Sequence, residues 1–281
     1  MGSRKWLGLV ATLALVPVCY GVMLTPAAEY QKGEFYWYSH ILHRRQLAVY
    51  WWRKASYQGY APAQFRLSSY YIFGLRYPGR DQRKRSSYWA HKAALQGYAP
   101  AEYVHALFDK QDYWLAFYWA HKAAIQGYGP AEKMVADDYN PGHGVQTDVG
   151  KQIYWLKKAA DQGSPGAAYR LGSLYYRGPG IAPNYVRAYK WFSVVEKHGD
   201  LEPSRDSKLS PYYIPKVLTL DSKFSLGERH KLRTLMTTAQ LARARALTAA
   251  WERKHPQAMI PHLWEKQDKT MATAWAKSHG Q

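Results

Sequence analysis

Five tryptophans in this chain keep step with five glycines. Trp51, Trp89, Trp119, Trp155 and Trp191 are each followed eight residues later by Gly59, Gly97, Gly127, Gly163 and Gly199, and successive tryptophans are 38, 30, 36 and 36 residues apart. A period of this length, with aromatic and small residues in fixed register, is the mark of helical hairpins that bury their apolar faces only by stacking on one another. The expected fold is all-α, a solenoid of stacked helical hairpins.

Each unit supports that reading internally. Four residues after the tryptophan comes Ala55, Ala93, Ala123 or Ala159, on the same face of a first helix, helix A. The tryptophan packs and the alanine admits a neighbouring helix. The glycine then falls past the last turn, where a left-handed residue ends a helix at low cost. Pro62, Pro100 and Pro130 follow three residues on, and Pro165 two residues on, at positions where a first-turn proline loses no hydrogen bond. A second helix, B, opens with Ala63, Ala101, Ala131 or Ala167.

The pattern A-x-x-W-x-x-K-A-A-x-Q-G followed by A-x-x-x-L-G-x-x-Y-x-x-G-x-G, most complete over Gln152–Gly180, resembles the Sel-one-like repeat family, relatives of the tetratricopeptide arrays. The resemblance implies a right-handed superhelical solenoid, in which residues 48–199 hold four full copies and the first helix of a fifth, and residues 28–47 an N-terminal capping helix. Residues 200–224, with Pro203, Pro211 and Pro215, read as an extended linker, and residues 225–281 as C-terminal capping helices. In that cap Leu232, Leu235, Met236, Ala239, Ala242 and Leu247 are expected to pack on the open end of the stack, with a last short helix after His262. Repeat two departs from the pattern: His105 stands where Leu67 and Leu171 stand, Asp109 where Tyr71, Tyr139 and Tyr175 stand, and the glycine loop is missing. His105 and Asp109 are therefore the least generic positions of the array.

The N-terminus, residues 1–27, reads as an export signal. Arg4 and Lys5 precede an uncharged run from Trp6 to Leu24. About 19 apolar residues also suffice to span a bilayer, so an uncleaved anchor stays open beside a cleaved signal, and both place the repeats in the periplasm. The single cysteine, Cys19, follows Val18 rather than the small residue that a lipoprotein signal requires. One cysteine also excludes an internal disulfide and a two-cysteine metal motif. His40 and His43 sit at helical spacing with no matching ligand set, and read as a polar helix face.

Nothing in the chain reads as a catalytic centre. There is no nucleophile elbow, no phosphate-binding glycine loop between strand and helix, and no His-Glu-x-x-His signature. His143 falls in an inter-repeat turn, and Asp137 and Asp138 are adjacent, so they point to different sides of a helix. No cofactor and no metal are expected. Recognition is better supported. Stepping about 100° per residue from the tryptophan of helix A, three positions per repeat face away from the packed stripe. They are Tyr50, Arg53 and Lys54; Tyr88, His91 and Lys92; Tyr118, His121 and Lys122; Tyr154, Lys157 and Lys158. The family resemblance implies that helix A lines the concave surface, so stacking would turn these triplets into a ladder of tyrosines and cations. With 39 Lys plus Arg against 20 Asp plus Glu, a net charge of +19, the ladder suits an acidic protein partner. Contact with an anionic membrane surface is compatible with the same charge. Export makes nucleic acid an unsuitable partner, and the chain is expected to be monomeric alone. The resemblance implies a non-enzymatic binding protein of the bacterial envelope. Its most concrete form is an immunity protein that neutralises a toxic secreted effector, such as a type VI secretion phospholipase, in the periplasm. An adaptor or scaffold in envelope assembly, polysaccharide export or secretion is the alternative.

Overall fold

A computed structural model describes residues 24–38, 44–73, 79–109, 112–140, 145–198, 217–259 and 263–280. Among the described residues there are thirteen α-helices and no strand: α1 Pro26–Tyr38, α2 Arg44–Tyr57, α3 Ala61–Phe73, α4 Arg80–Leu95, α5 Ala99–Phe108, α6 Tyr113–Ile125, α7 Gly129–Asp138, α8 Val149–Asp161, α9 Pro165–Arg177, α10 Tyr185–His198, α11 Val217–Leu235, α12 Thr238–Lys254 and α13 Leu263–Ser278. A 3-10 turn, Pro256–Met259, follows α12. From α1 to α10 every helix packs on the next along the chain, the contact pattern of an α-solenoid. The A helices are α2, α4, α6, α8 and α10. No helix among the described residues is long and apolar enough to cross a membrane. Residues 1–23 of the expected export segment, together with His40, His43, His143 and Gly199, lie outside the described residues, and α1 begins within the segment's last residues, at Pro26.

The A-to-B turns form as their glycines require. Gly59, Gly97, Gly127 and Gly163 adopt φ of 88°, 73°, 81° and 84°, the left-handed region. Proline occupies the first turn of α5, α7 and α9, and Ser164 caps α9 by accepting from the Ala167 amide.

Two expectations at the ends of the stack need correction. Residues 28–47 are not one capping helix: α1 ends at Tyr38 and the first A helix already begins at Arg44. The α1 sequence explains this, because Pro26-Ala27-Ala28-Glu29-Tyr30 carries the marks of Pro100-Ala101-Glu102-Tyr103, so α1 is itself a B helix. In the stretch read as a linker, α11 starts at Val217. Within the C-terminal cap, Leu232 and Met236 are buried as expected, whereas Leu235, Ala239, Ala242 and Leu247 are exposed. A capping box at Thr237 and Gln240 breaks the helix there and resets its phase, so α12 instead buries Ala244, Thr248 and Trp251.

Inside the stack, size is balanced across each B–A contact. The buried position after the repeat tryptophan holds Trp52, Ala90, Ala120, Leu156 and Phe192 in successive A helices. The register-matched position on the preceding B helix holds Gly33, Ser68, Ala106, Ala136 and Gly172. The two largest residues face the two glycines. A Cβ on Gly172 would lie 2.7 Å from two Phe192 ring carbons, and one on Gly33 would overlap the Trp52 indole. This corrects the first beat of the pattern: Trp51 is only half-buried, and Trp52 is the indole enclosed in the core.

Candidate partner-binding face

The parallel A helices present one exposed face in register. Tyr50, Tyr88, Tyr118 and Tyr154 are 55%, 52%, 56% and 53% exposed, a uniformity that marks one repeated surface. Each ring is braced edge-on by the tryptophan that follows it, with centroids 5.3, 5.1, 5.3 and 5.1 Å apart. Half-exposed tyrosines held in one orientation give contact area at small entropic cost.

The lysines of the ladder have a second role that spacing did not reveal. Lys54 pairs with Glu29 at 2.8 Å and Lys122 with Glu102 at 3.1 Å, and both carboxylates are buried. A glutamine four residues after the lysine completes the node. Gln58 donates to Glu29, Gln126 to Glu102 at 2.7 Å, and Gln162 to Glu132 at 2.9 Å. In one repeat the acid is replaced by an amide, and Gln96 donates to Gln64 at 2.8 Å. These nodes tie α2, α4, α6 and α8 each to the preceding B helix, so K-x-x-x-Q is a clamp as well as part of the exposed face. Burial raises the Glu102 pKa, opposed by Lys122 and Gln126. It pushes Glu132 up to about 7, opposed by Lys158 and Gln162 and aided by Asp161. The Lys54 pKa is raised by its bond to Glu29. The same lysines lie over aromatic rings: Lys92 is 5.0 Å from the Tyr88 centroid, Lys122 5.0 Å from Trp119, and Lys158 5.2 Å from Tyr154. Arg53 and Lys157 are exposed beside them.

The two histidines of the ladder differ. His121 is half-buried between Phe117 and the edge of Trp155, and burial lowers its pKa. His91 is exposed and its Nδ1 lies 2.6 Å from Nε2 of His105. His105 in turn stacks on Trp119 with centroids 4.9 Å apart, and its Nδ1 lies 2.8 Å from the Asp109 carboxylate. The atypical positions of repeat two thus meet one ladder residue and fasten α4 to α5. Among the described residues no group of three or more His, Cys, Asp or Glu side chains is placed to hold a metal ion.

Sequence reasoning missed a second row. Tyr57, Leu95 and Ile125 are 74%, 63% and 61% exposed, seven residues after Tyr50, Tyr88 and Tyr118 and so on the same helix face. The signal was present, as one apolar residue between the small pair and Gln-Gly in three repeats. The fourth has Asp161 there, which accepts the Trp251 indole N–H at 2.6 Å. Trp275 of α13 likewise donates to the Gln96 carbonyl at 3.1 Å and sits edge-on to Tyr60. The C-terminal helices therefore run back along the A-to-B turns. Between α1 and α13 lies a cleft of about 490 Å³, walled by Tyr30, Phe35, Tyr38 and Lys269. Its buried acid, Glu34, is already held by Arg66 at 2.8 and 2.9 Å.

Repeated antiparallel helix pairs with one ordered exposed face define the class, an all-α repeat solenoid whose surface is suited to contact with other proteins. The chain belongs to the Sel1 repeat family: the Sel1 repeat model matches residues 26–60, 61–98, 105–128, 130–164 and 165–193. The first of these matches takes in α1. A search of the curated proteins gives no match. Among solved structures, the chain is similar to a protective antigen of uropathogenic Escherichia coli with an SLR fold, at 24% identity and a TM-score of 0.68 over 87% of this chain. It spans 48% of that protein's length. A Sel1 repeat protein from Oxalobacter formigenes matches 60% of the chain and 72% of its own length, at 27% identity and a TM-score of 0.53. An immunity protein from Pseudomonas aeruginosa matches 74% of the chain and 81% of its own length, at 18% identity and a TM-score of 0.44.

Proposed function

We propose that the protein is a non-enzymatic binding solenoid of the bacterial envelope that captures an acidic protein partner on its A-helix face, and that its specific task is immunity, the neutralisation of a toxic secreted effector in the periplasm. The observation that carries the reading is the register of Tyr50, Tyr88, Tyr118 and Tyr154, four equally exposed rings backed by tryptophans and flanked by Arg53, His91, Lys157 and the clamp lysines. Rigid aromatic anchors supply the affinity of such a face, and its cations steer an acidic partner towards it. The +19 charge adds a long-range field of the same sign. An inhibitor needs a surface and no turnover, which agrees with the lack of a catalytic signature in the sequence.

Co-purification from envelope extracts tests the reading. The expected result is one acidic protein at equal stoichiometry, toxic to cells that lack this chain and harmless to cells that make it. Recovery of several partners at low occupancy, with no protection against any of them, would refute immunity and leave a general scaffold.

A further inference from the structure

A different surface of the array has the make-up of a lipid-binding edge. At the N-terminal tip of α6, Tyr113, Trp114 and Leu115 are consecutive and 60%, 66% and 40% exposed. Counting back from the repeat tryptophans, their register mates on α4 are Arg83, Lys84 and Arg85, all exposed, with exposed Arg80 one turn earlier. The A helices are parallel, so the two triplets lie side by side on the edge opposite the A-to-B turns. Within residues 80–85 the only acid is Asp81 against four cations. Among the described residues Arg83 and Lys84 join no ion pair, and Arg85 lies 5.9 Å from the Tyr71 ring.

Geometry selects the kind of partner. Three consecutive helical residues cover about 200° of the helix circumference. A partner helix or strand lying along one face would leave at least one of the three in water. A fluid interface that receives the tip of the helix can take all three at once. Trp and Tyr favour the boundary between headgroups and acyl chains, Leu adds apolar depth, and neighbouring Lys and Arg bind lipid phosphates. Each cation held near an anionic surface strengthens adsorption about fivefold. We propose that this edge docks on an anionic membrane surface, with Trp114 and its two neighbours entering the headgroup boundary and Arg80, Arg83, Lys84 and Arg85 on the phosphates. The α1 helix begins at the opposite edge.

The test uses the full chain with vesicles of brominated phosphatidylglycerol and phosphatidylcholine, against brominated phosphatidylcholine alone. The emission assigned to Trp114 is the difference between the protein and its Trp114→Phe variant. That emission should be quenched by the anionic vesicles and not by the zwitterionic ones. The R83E/K84E/R85E variant should lose the quenching and bind at least about a hundredfold more weakly, with an unchanged helical circular dichroism spectrum. Insertion of the apolar N-terminal stretch would act on both vesicle types and cancel in the comparison. Trp114 emission that stays unquenched on anionic vesicles, that is quenched equally by both lipids, or that is shielded only by an added protein would overturn the proposal.

Discussion

Replacing Glu132 by glutamine should make the protein more stable at alkaline pH and leave it nearly unchanged in acid. Glu132 is 1% exposed at the node joining α7 to α8, and its pKa is pushed from 4.5 up to about 7, chiefly by burial. A carboxyl whose folded pKa is raised contributes stability that is fully present below pH about 4.5 and is lost as pH rises through about 7. The upper bound follows from about 2.5 pKa units at about 1.4 kcal/mol each, so roughly 3 kcal/mol is lost between pH 4.5 and 8. Relaxation of the site lowers the figure, so about 1–3 kcal/mol is expected. Glutamine keeps the acceptor for Gln162, and the chain itself uses an amide at the same node, Gln64 with Gln96 at 2.8 Å. Urea unfolding of both proteins at pH 5 and pH 8 measures the effect, and the difference between them cancels other titrating groups such as Asp138. The midpoint of E132Q should exceed that of the parent at pH 8 and match it at pH 5. A variant less stable than the parent at pH 8 would refute the reasoning, because the ionised pair with Lys158 would then outweigh the burial.

The companion node predicts the opposite sign. Lys122→Met leaves the buried Glu102 carboxylate without its cation and should cost about 1–3 kcal/mol at pH 8 and less as the pH falls towards the raised pKa of Glu102, as read by denaturant midpoints across that range. Gly172→Ala should cost about 1–3 kcal/mol through the clash with Phe192, and adding Phe192→Leu should recover part of the loss, since Ala136 faces Leu156 in the preceding unit; a double-mutant cycle reads the coupling. Trp251→Phe removes the indole bond to the partly exposed Asp161 and should cost about 1 kcal/mol, with faster amide exchange along α12 than along α8.

Much of the array was legible because each repeat repeats one constraint. Only glycine sits readily at the positive φ of Gly59, Gly97, Gly127 and Gly163, and Trp-x-x-x-Ala is a helix-face pattern whatever surrounds it. What was misread depended on contacts between units. The choice between Trp51 and Trp52 is made by Gly33, nineteen residues earlier on another helix. The clamp lysines looked like free surface charge because Glu29, Glu102 and Glu132 lie 20 to 30 residues upstream. His91 and His105 meet across two helices, a pairing that no spacing rule contains. The exposed row Tyr57, Leu95 and Ile125 and the capping box at Thr237 were both written in local spacing and were overlooked, the box because the surrounding residues keep one helical period if Thr237 is ignored.

The tyrosines offer the cleanest access to the binding face, because Tyr88, Tyr118 and Tyr154 are exposed while Lys122 also holds the fold together. Calorimetric titration of the protein and of its Tyr88→Ser/Tyr118→Ser/Tyr154→Ser variant with the co-purified acidic partner measures their contribution directly. A loss of at least about a hundredfold in affinity, with an unchanged helical circular dichroism spectrum, is predicted for three aromatic anchors removed from one interface. Equal affinity in the two proteins would contradict the account and move recognition away from the A helices.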